Sequence, residues 1–439
     1  MRKIAKIAAI CAVFGLALFA VGCSNSSDPL PYVPGGGGGG KKAGSISYAT
    51  TSVGKNIGDE AFTNPLTKTG DGVVVYGSSD ANVATVDTAT GEVTIKAVGT
   101  TTIKATVSDS EAYTYETKSA SYTLEVKNPV TIPLTLEFTA AGKITFINKP
   151  ATLKYSFDGG ETKTDASEDS ITVSAGGKVS LFAETTGSTE PKPFKISCDA
   201  DCYVYGNVMS LVTLTSSGEW NPNARELASA YVFYMLFYVT GNKIKNHPSN
   251  NLVLPATTLT QSCYSWMFYG CTGLTRAPAL PATTLVRFCY NSMFQKCTGL
   301  TSAPDLPATT LANNCYSDMF SGCTGLKSAP ALPATTLEVN CYSAMFEGCA
   351  SLTKAPDLPA TTLAELCYRQ MFSGCAALKE IKCLATDISA SDCTTDWVKD
   401  VPTGTPPGTF TCDSTMVATW EAKIGNVSGV PTGWTVTAQ

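Results

Sequence analysis

From position 254 onward the hydrophobic pattern of the chain repeats itself. Leu254-Pro255-Ala256-Thr257-Thr258-Leu259 returns at 280, 306, 332 and 358, each time 26 residues on. Fixed self-similarity at this period marks a solenoid, in which each unit buries its apolar face only by stacking on the next. Inside one unit Leu311, Cys315, Met319 and Cys323 recur every four residues. That spacing, close to the helical period, predicts a short helix per unit, with Thr310 as N-cap and Gly322 near its end. The segment 326–332 is the candidate strand, and Pro330 within it cannot donate to a ladder, so the strands should be very short.

Upstream the period changes to two. Short β-type runs at 73–76, 83–86, 92–97, 101–107 and 121–126 are separated by turn residues, and Thr102-Ile103-Lys104-Ala105-Thr106-Val107 alternates strictly. Such runs predict an all-β sandwich over 44–127. A second β-rich module is expected at 128–218, with Tyr155-Ser156-Phe157-Asp158-Gly159-Gly160 entering a tight turn and further strands at 171–173 and 178–183. Residues 219–251 read as a worn first repeat (Leu236, Phe237, Ile244, His247, Pro248), 252–383 as five full repeats, and 384–439 as a degenerate repeat and C-terminal cap. There Leu384, Cys393 and Trp397 follow Leu358, Cys367 and Met371 by one period, and Trp420 and Trp434 are candidate lids. The expected fold class is therefore multidomain: a β-sandwich and a second β-rich module, followed by an α/β solenoid.

Two resemblances sharpen this. The segments 76–80, 83–87, 91–94 and 99–103 resemble the bacterial Ig-like domain of group 2, which implies a spacer or adhesive module of surface proteins. The repeat unit, with Phe268, Phe294, Phe320, Phe346 and Phe372 each three residues before a cysteine, resembles the BspA-like class of leucine-rich repeat. That resemblance implies attachment to host matrix proteins or to other bacteria. It departs from the family pattern in carrying one residue more between the leucines around Pro330.

At the N-terminus Arg2, Lys3 and Lys6 precede an apolar run from Ile7 to Val21, the pattern of a secretion signal over 1–22. The segment Phe19-Ala20-Val21-Gly22-Cys23 resembles a lipobox, with Ala20 in place of the more usual leucine, and implies lipid attachment at Cys23. Six glycines, Gly35 to Gly40, then make 23–43 a flexible tether. An exported, lipid-anchored protein at the outer membrane or cell surface is expected, its membrane contact made through the lipid.

Composition narrows the chemistry. A net charge of −5 and 15% charged residues leave no basic footprint for nucleic acid. The single histidine, His247, gives histidine-based catalysis and metal binding almost nothing to draw on, and is expected in a surface loop beside Pro248. No enzyme, cofactor or metal is expected. Of 17 cysteines, Cys11 lies in the signal and Cys23 in the lipobox, leaving an odd number that cannot all pair within the chain. The ten in the array are expected as two ladders of buried thiols, with inter-unit disulfides as the alternative. Cys198 and Cys202 are candidates for a local disulfide, and Asp199 and Asp201 between them raise a metal site as the sharper but weaker idea. With eight Lys and Arg against seven Asp and Glu over 252–383, a polyanion is not favoured as partner. A protein or glycan on a host or bacterial surface is, and the variable positions near the strand, Arg276, Asp305, Lys354 and Asp357, are the binding-face candidates. Arg287, Asn313, Asn314 and Glu338 are their counterparts on the other side of the unit. A structural spacer without a dedicated ligand is the alternative, because the units are so alike.

Overall fold

The computed structural model describes residues 41–439, apart from 57, 58, 60, 98, 116, 117, 128–130, 185–192, 239–242 and 404–406. The signal, Cys23 and nearly all of the tether lie outside the described residues. Lys42 and Ala43, expected in the tether, instead open the first strand and pair with Tyr113 and Thr114.

The first module holds β1 (Lys42–Tyr48), β2 (Ser52–Asn56), β3 (Leu66–Thr69), β4 (Val74–Ser78), β5 (Ala84–Val86), β6 (Val93–Ile95), β7 (Gly99–Val107), β8 (Tyr113–Tyr115) and β9 (Ser119–Lys127). One sheet runs β2-β9-β7-β4 and another β3-β1-β8, with β5 and β6 as a hairpin. The alternation read at 102–107 holds, since Ile103, Ala105 and Val107 are buried and the residues between them are not. They pack with Tyr115, Tyr122, Leu124 and Val126 in a core of their own.

The second module contains β10 (Thr135–Phe138), β11 (Gly142–Ile147), β12 (Lys154–Ser156), β13 (Thr164–Asp165), β14 (Ser170–Val173), β15 (Lys178–Phe182), β16 (Lys195–Cys198) and β17 (Cys202–Asn207). The Asp158 carboxylate accepts the backbone N–H of Thr162 at 2.9 Å, closing the turn after β12. One edge of β17 is antiparallel to β10. Its other edge is parallel to β18 (Ile244–Asn246) and β19 (Leu252–Val253), so the sheet of this module runs straight into the first rungs of the array. One apolar core accordingly continues from Leu134 to Trp434.

The repeats stack, but no unit contains a helix, which overturns the α/β expectation. Each unit is a spiral of turns. Left-handed residues recur every four positions: Phe288, Ser292 and Lys296 in one unit, then Asn314, Asp318 and Gly322, then Asn340, Ala344 and Gly348. Between them the backbone bonds alternate. Cys289, Asn291, Met293, Gln295 and Cys297 donate N–H to the carbonyl three residues back, and in the turns closed by Cys289, Met293 and Cys297 the third residue, Phe288, Ser292 or Lys296, is the left-handed one. Tyr290, Ser292, Phe294 and Lys296 donate instead to Cys315, Ser317, Met319 and Ser321 of the next unit, at 2.7 to 3.0 Å. Both sets of groups are thereby satisfied without helix or sheet, which burial demands. Thr310 is therefore not an N-cap but bridges to Thr284, and Gly322 is the third left-handed position of its unit.

This spiral carries two rows of rings into the core. Tyr264, Tyr290, Tyr316 and Tyr342 stack at 5.8 Å, and Phe268, Phe294, Phe320, Phe346 and Phe372 at 5.4 to 5.9 Å. These separations exceed the ~4.8 Å between neighbouring strands, so the rings are slipped sideways, as stacked rings prefer. Phe237 stacks on Phe268, which places the worn first unit in register despite the longer spacing between them. At the far end Trp397 stacks on Tyr368 at 6.2 Å and Trp420 lies on Trp397 at 5.8 Å, closing the core. Trp434 is also buried.

Proline decides where the strand side pairs. Segment 326–332 is not a strand, and around Arg276 and Ser302 only an isolated bridge forms. A regular parallel ladder appears at β20 (Lys354–Leu358), β21 (Glu380–Cys383), β22 (Thr409–Cys412) and β23 (Thr435–Ala438). The last three lack the proline, whereas β20 keeps Pro356 and pairs with a register shift beside it. The α1 helix, Val417–Glu421, sits in the C-terminal cap. Among the described residues no helix is long and apolar enough to cross a membrane.

Turn and helix make opposite demands on Gly348, whose φ is +67° and beside which an added Cβ would meet nothing nearer than 3.8 Å. In a helix Gly348→Ala would stabilise by about 1 kcal/mol. In the left-handed turn it costs about 1 kcal/mol or more. A lowered urea midpoint is expected, and a raised one would contradict the turn spiral.

Candidate binding surface

Because cysteine, tyrosine, methionine and phenylalanine all turn inward, chemistry is left to the variable positions. Arg276, Asp305, Lys354 and Asp357 are all exposed, but they do not form one cluster. Lys354 pairs with Glu380 at 3.1 Å and Asp357 with Lys382 at 3.3 Å, each bond crossing from one rung to the next. Exposed pairs of this kind contribute little to stability and leave that part of the strand face electrically balanced. Asp305 stands further back along the array. On the other side Arg287 lies over the Phe288 ring at 5.0 Å, while Asn314 takes a left-handed conformation, so its identity answers to backbone geometry as well as to any partner.

Arg276 lines a cleft of about 850 Å³ between the first β module and the start of the array. Lys55, Asp59 and Phe62 form one wall, and Arg225, Asn251 and Pro278 belong to the other. Across it Arg225 Nε meets Asp59 at 3.1 Å, with both side chains largely buried. Lys55 lies 4.5 Å from the centre of the Phe62 ring. Burial pulls its ammonium pKa down, Asp59 opposes that and Arg225 adds to it. The Arg276 guanidinium donates to the carbonyl of His247 at 3.1 Å. This junction could not be read from sequence, because Lys55 and Asp59 are separated from Arg276 by the whole second module.

His247 is not a free loop residue. Its Nδ1 accepts the N–H groups of Ser249 and Asn250 at 3.0 and 2.9 Å, and the ring packs against Tyr203 and Tyr205. Cys198 and Cys202 are both buried and no disulfide joins them; the hydrogen bond between their thiols and burial push the Cys198 pKa up. The intervening carboxylates are engaged elsewhere: Asp199 accepts from Lys143 N–H at 2.7 Å and Asp201 from Lys245 Nζ at 2.5 Å. Among the described residues no group of three or more Cys, His, Asp and Glu is placed to hold a metal.

The array cysteines sit as two buried ladders of free thiols. In one ladder the thiol has a defined partner. Cys297, Cys323, Cys349 and Cys375 donate S–H to the carbonyls of Phe268, Phe294, Phe320 and Phe346 in the preceding unit, at 3.0 to 3.2 Å. Those carbonyls already close a turn within their own unit. Cysteine is thus a small apolar filler that also donates a hydrogen bond, which explains its use here in place of alanine or valine.

A family model described as the bacterial Ig-like domain (group 2) matches residues 60–117. The first β module is therefore Ig-like. No curated protein matches the chain.

Burial pushes the thiols of Cys263, Cys315, Cys323, Cys367 and Cys375 up to about 12. An unfolded thiol titrates near ~8.5. Below that pH both states hold their protons and the contribution of the buried neutral thiols is complete. Above it the unfolded chain sheds protons that the folded chain keeps, so stability falls as pH rises from ~8.5 towards the folded values. Urea midpoints should be level around neutrality and decline in alkali. Native protein should resist iodoacetamide while denatured protein takes up label without prior reduction; array thiols found oxidised by intact mass would overturn the ladders.

Proposed function

We propose that this chain is a BspA-like leucine-rich-repeat lipoprotein of the cell surface, which attaches its bearer to host matrix proteins, to glycans or to other cells. The signal-like N-terminus and the lipobox-like segment ending at Cys23 support export and anchoring. The glycine tether and the Ig-like module then hold the array away from the membrane. The observation that carries the binding reading is the division of labour within each unit. The repeated leucine, alanine, cysteine, tyrosine, methionine and phenylalanine positions are consumed by the core, whereas the paired threonines and larger variable side chains such as Arg276, Asp305, Lys354 and Asp357 stay exposed on a continuous stack. An extended surface with fixed spacing is the device that solenoids use for recognition.

A spacer or surface-layer role is the second reading. The pairs Lys354–Glu380 and Asp357–Lys382 favour it, since they neutralise exposed charges between rungs instead of offering them to a partner. It needs no ligand, only length.

The two readings part in a binding screen. The mature chain, displayed on beads, should retain matrix proteins, glycans or bacterial cells, and a chain lacking 306–357, a deletion of two whole units, should bind less. Binding that survives the deletion while reach shortens would replace adhesion through the array by the spacer reading. Cys23→Ala should move the protein from the membrane fraction to the soluble one; retention in the membrane would remove the lipid anchor.

A further inference from the structure

The outer face of the turn spiral is not uniform along the array. Where later units place Gln295, Ser321, Glu347 and Ser373, the first two place Tyr238 and Tyr269. Where later units place Ser292, Asp318 and Ala344, the first full unit places Trp266. The three rings meet at one corner. Tyr238 and Tyr269 lie 4.7 Å apart, Trp266 and Tyr269 5.0 Å, and Tyr238 and Trp266 5.9 Å, all of them half-buried. Tyr231 and Tyr234 lie in the same outer row of the worn unit, 5.6 Å from each other.

Packing does not require these rings. The inner ladders are already complete at this end, with Phe233 on Tyr264 and Phe237 on Phe268. Half-exposed aromatics with a polar rim cost solvation and mark a surface that is covered in use. The rim is specific as well. Asn291 accepts from Trp266 Nε1 at 3.1 Å and fixes the indole, and Gln261 donates to the Tyr231 hydroxyl at 3.2 Å. Two cations flank the cluster, with Lys195 Nζ 5.1 Å from the centre of Tyr238 and Lys296 Nζ 5.3 Å from that of Tyr269.

We propose that this corner binds a glycan whose pyranose rings carry carboxylate or sulfate groups. A sugar ring offers a flat C–H face bordered by hydroxyls; tyrosine and tryptophan faces match the first, and phenol and amide groups match the second. The two lysines supply charge complementary to an acidic substituent, although the array as a whole is nearly neutral. This assignment rests on the surface-binding reading and gives it a ligand class and a place.

The test uses the full mature chain in native gels containing soluble polysaccharides, one set rich in uronic acid or sulfate and one neutral. Acidic polymers should retard the wild type. Retardation should weaken about tenfold or more in Trp266→Ala and Tyr269→Ala, fall in the double variant Lys195→Gln with Lys296→Gln, and persist in Ser321→Ala. Should Trp266→Ala unfold the chain, Trp266→Phe, which keeps a ring, must retain binding. Equal retardation of wild type and ring variants would overturn the site, and equal retardation by neutral and acidic polymers would overturn the acidic ligand. A chain that captures matrix protein or cells but no polysaccharide refutes this inference and leaves the adhesion reading standing. Loss of polysaccharide binding in the ring variants with cell attachment unchanged supports the site and shows that attachment uses another one.

Discussion

The array depends on one arrangement of backbone hydrogen bonds. Alternate N–H groups close a turn within their own unit, and those between them reach the carbonyls of the next unit, as Tyr290, Ser292, Phe294 and Lys296 do. The alternation is made possible by a left-handed residue at every fourth position. Without those residues the turns could not follow one another, and half of the backbone groups would be buried unpaired, at a cost of about 1 to 3 kcal/mol each. The ring stacks and the S–H bonds to the phenylalanine carbonyls all follow from the registry that these bonds impose.

Much of this was legible, but one signal was assigned to the wrong element. The repeat, its phase, the buried cysteines and the closing tryptophans can be read directly from the sequence. The helix cannot, because the spacing of Leu311, Cys315, Met319 and Cys323 is four residues, not 3.6. On a helix each such step drifts by about 40°, so the row would leave the core within one unit. A second signal lay in the residues at the left-handed positions: Asn314, Asp318 and Gly322, or Asp392, Asp396 and Asp400, are the types that tolerate positive φ. Phe288 and Leu366, which occupy equivalent positions, hide the pattern, and there the stack overrides local preference. Pro330 and its equivalents were the legible reason for weak strands, and regular pairing begins where they cease. The cleft beside Arg276 was not legible, because it joins Lys55 and Asp59 to residues far away in the chain.

For function, the same economy explains why the repeats say little and their exceptions say more. Uniform inward positions fix the rod, and where units differ the large side chains, such as Trp266 and Tyr269, reach its outer side while small ones at the equivalent places, such as Ser292 and Ser321, are buried. The aromatic corner around Trp266 is such a difference, concentrated at the end nearest the second module. The rung-to-rung ion pairs at Lys354 and Asp357 are another, and they quieten the surface where they occur.

Far-UV circular dichroism of the mature chain tests the central claim most directly. If the units are turn spirals, the spectrum lacks the paired minima of α-helix, since among the described residues the only α-helix is the five-residue segment Val417–Glu421. A spectrum with a helical contribution from every repeat would contradict the account and restore the α/β solenoid.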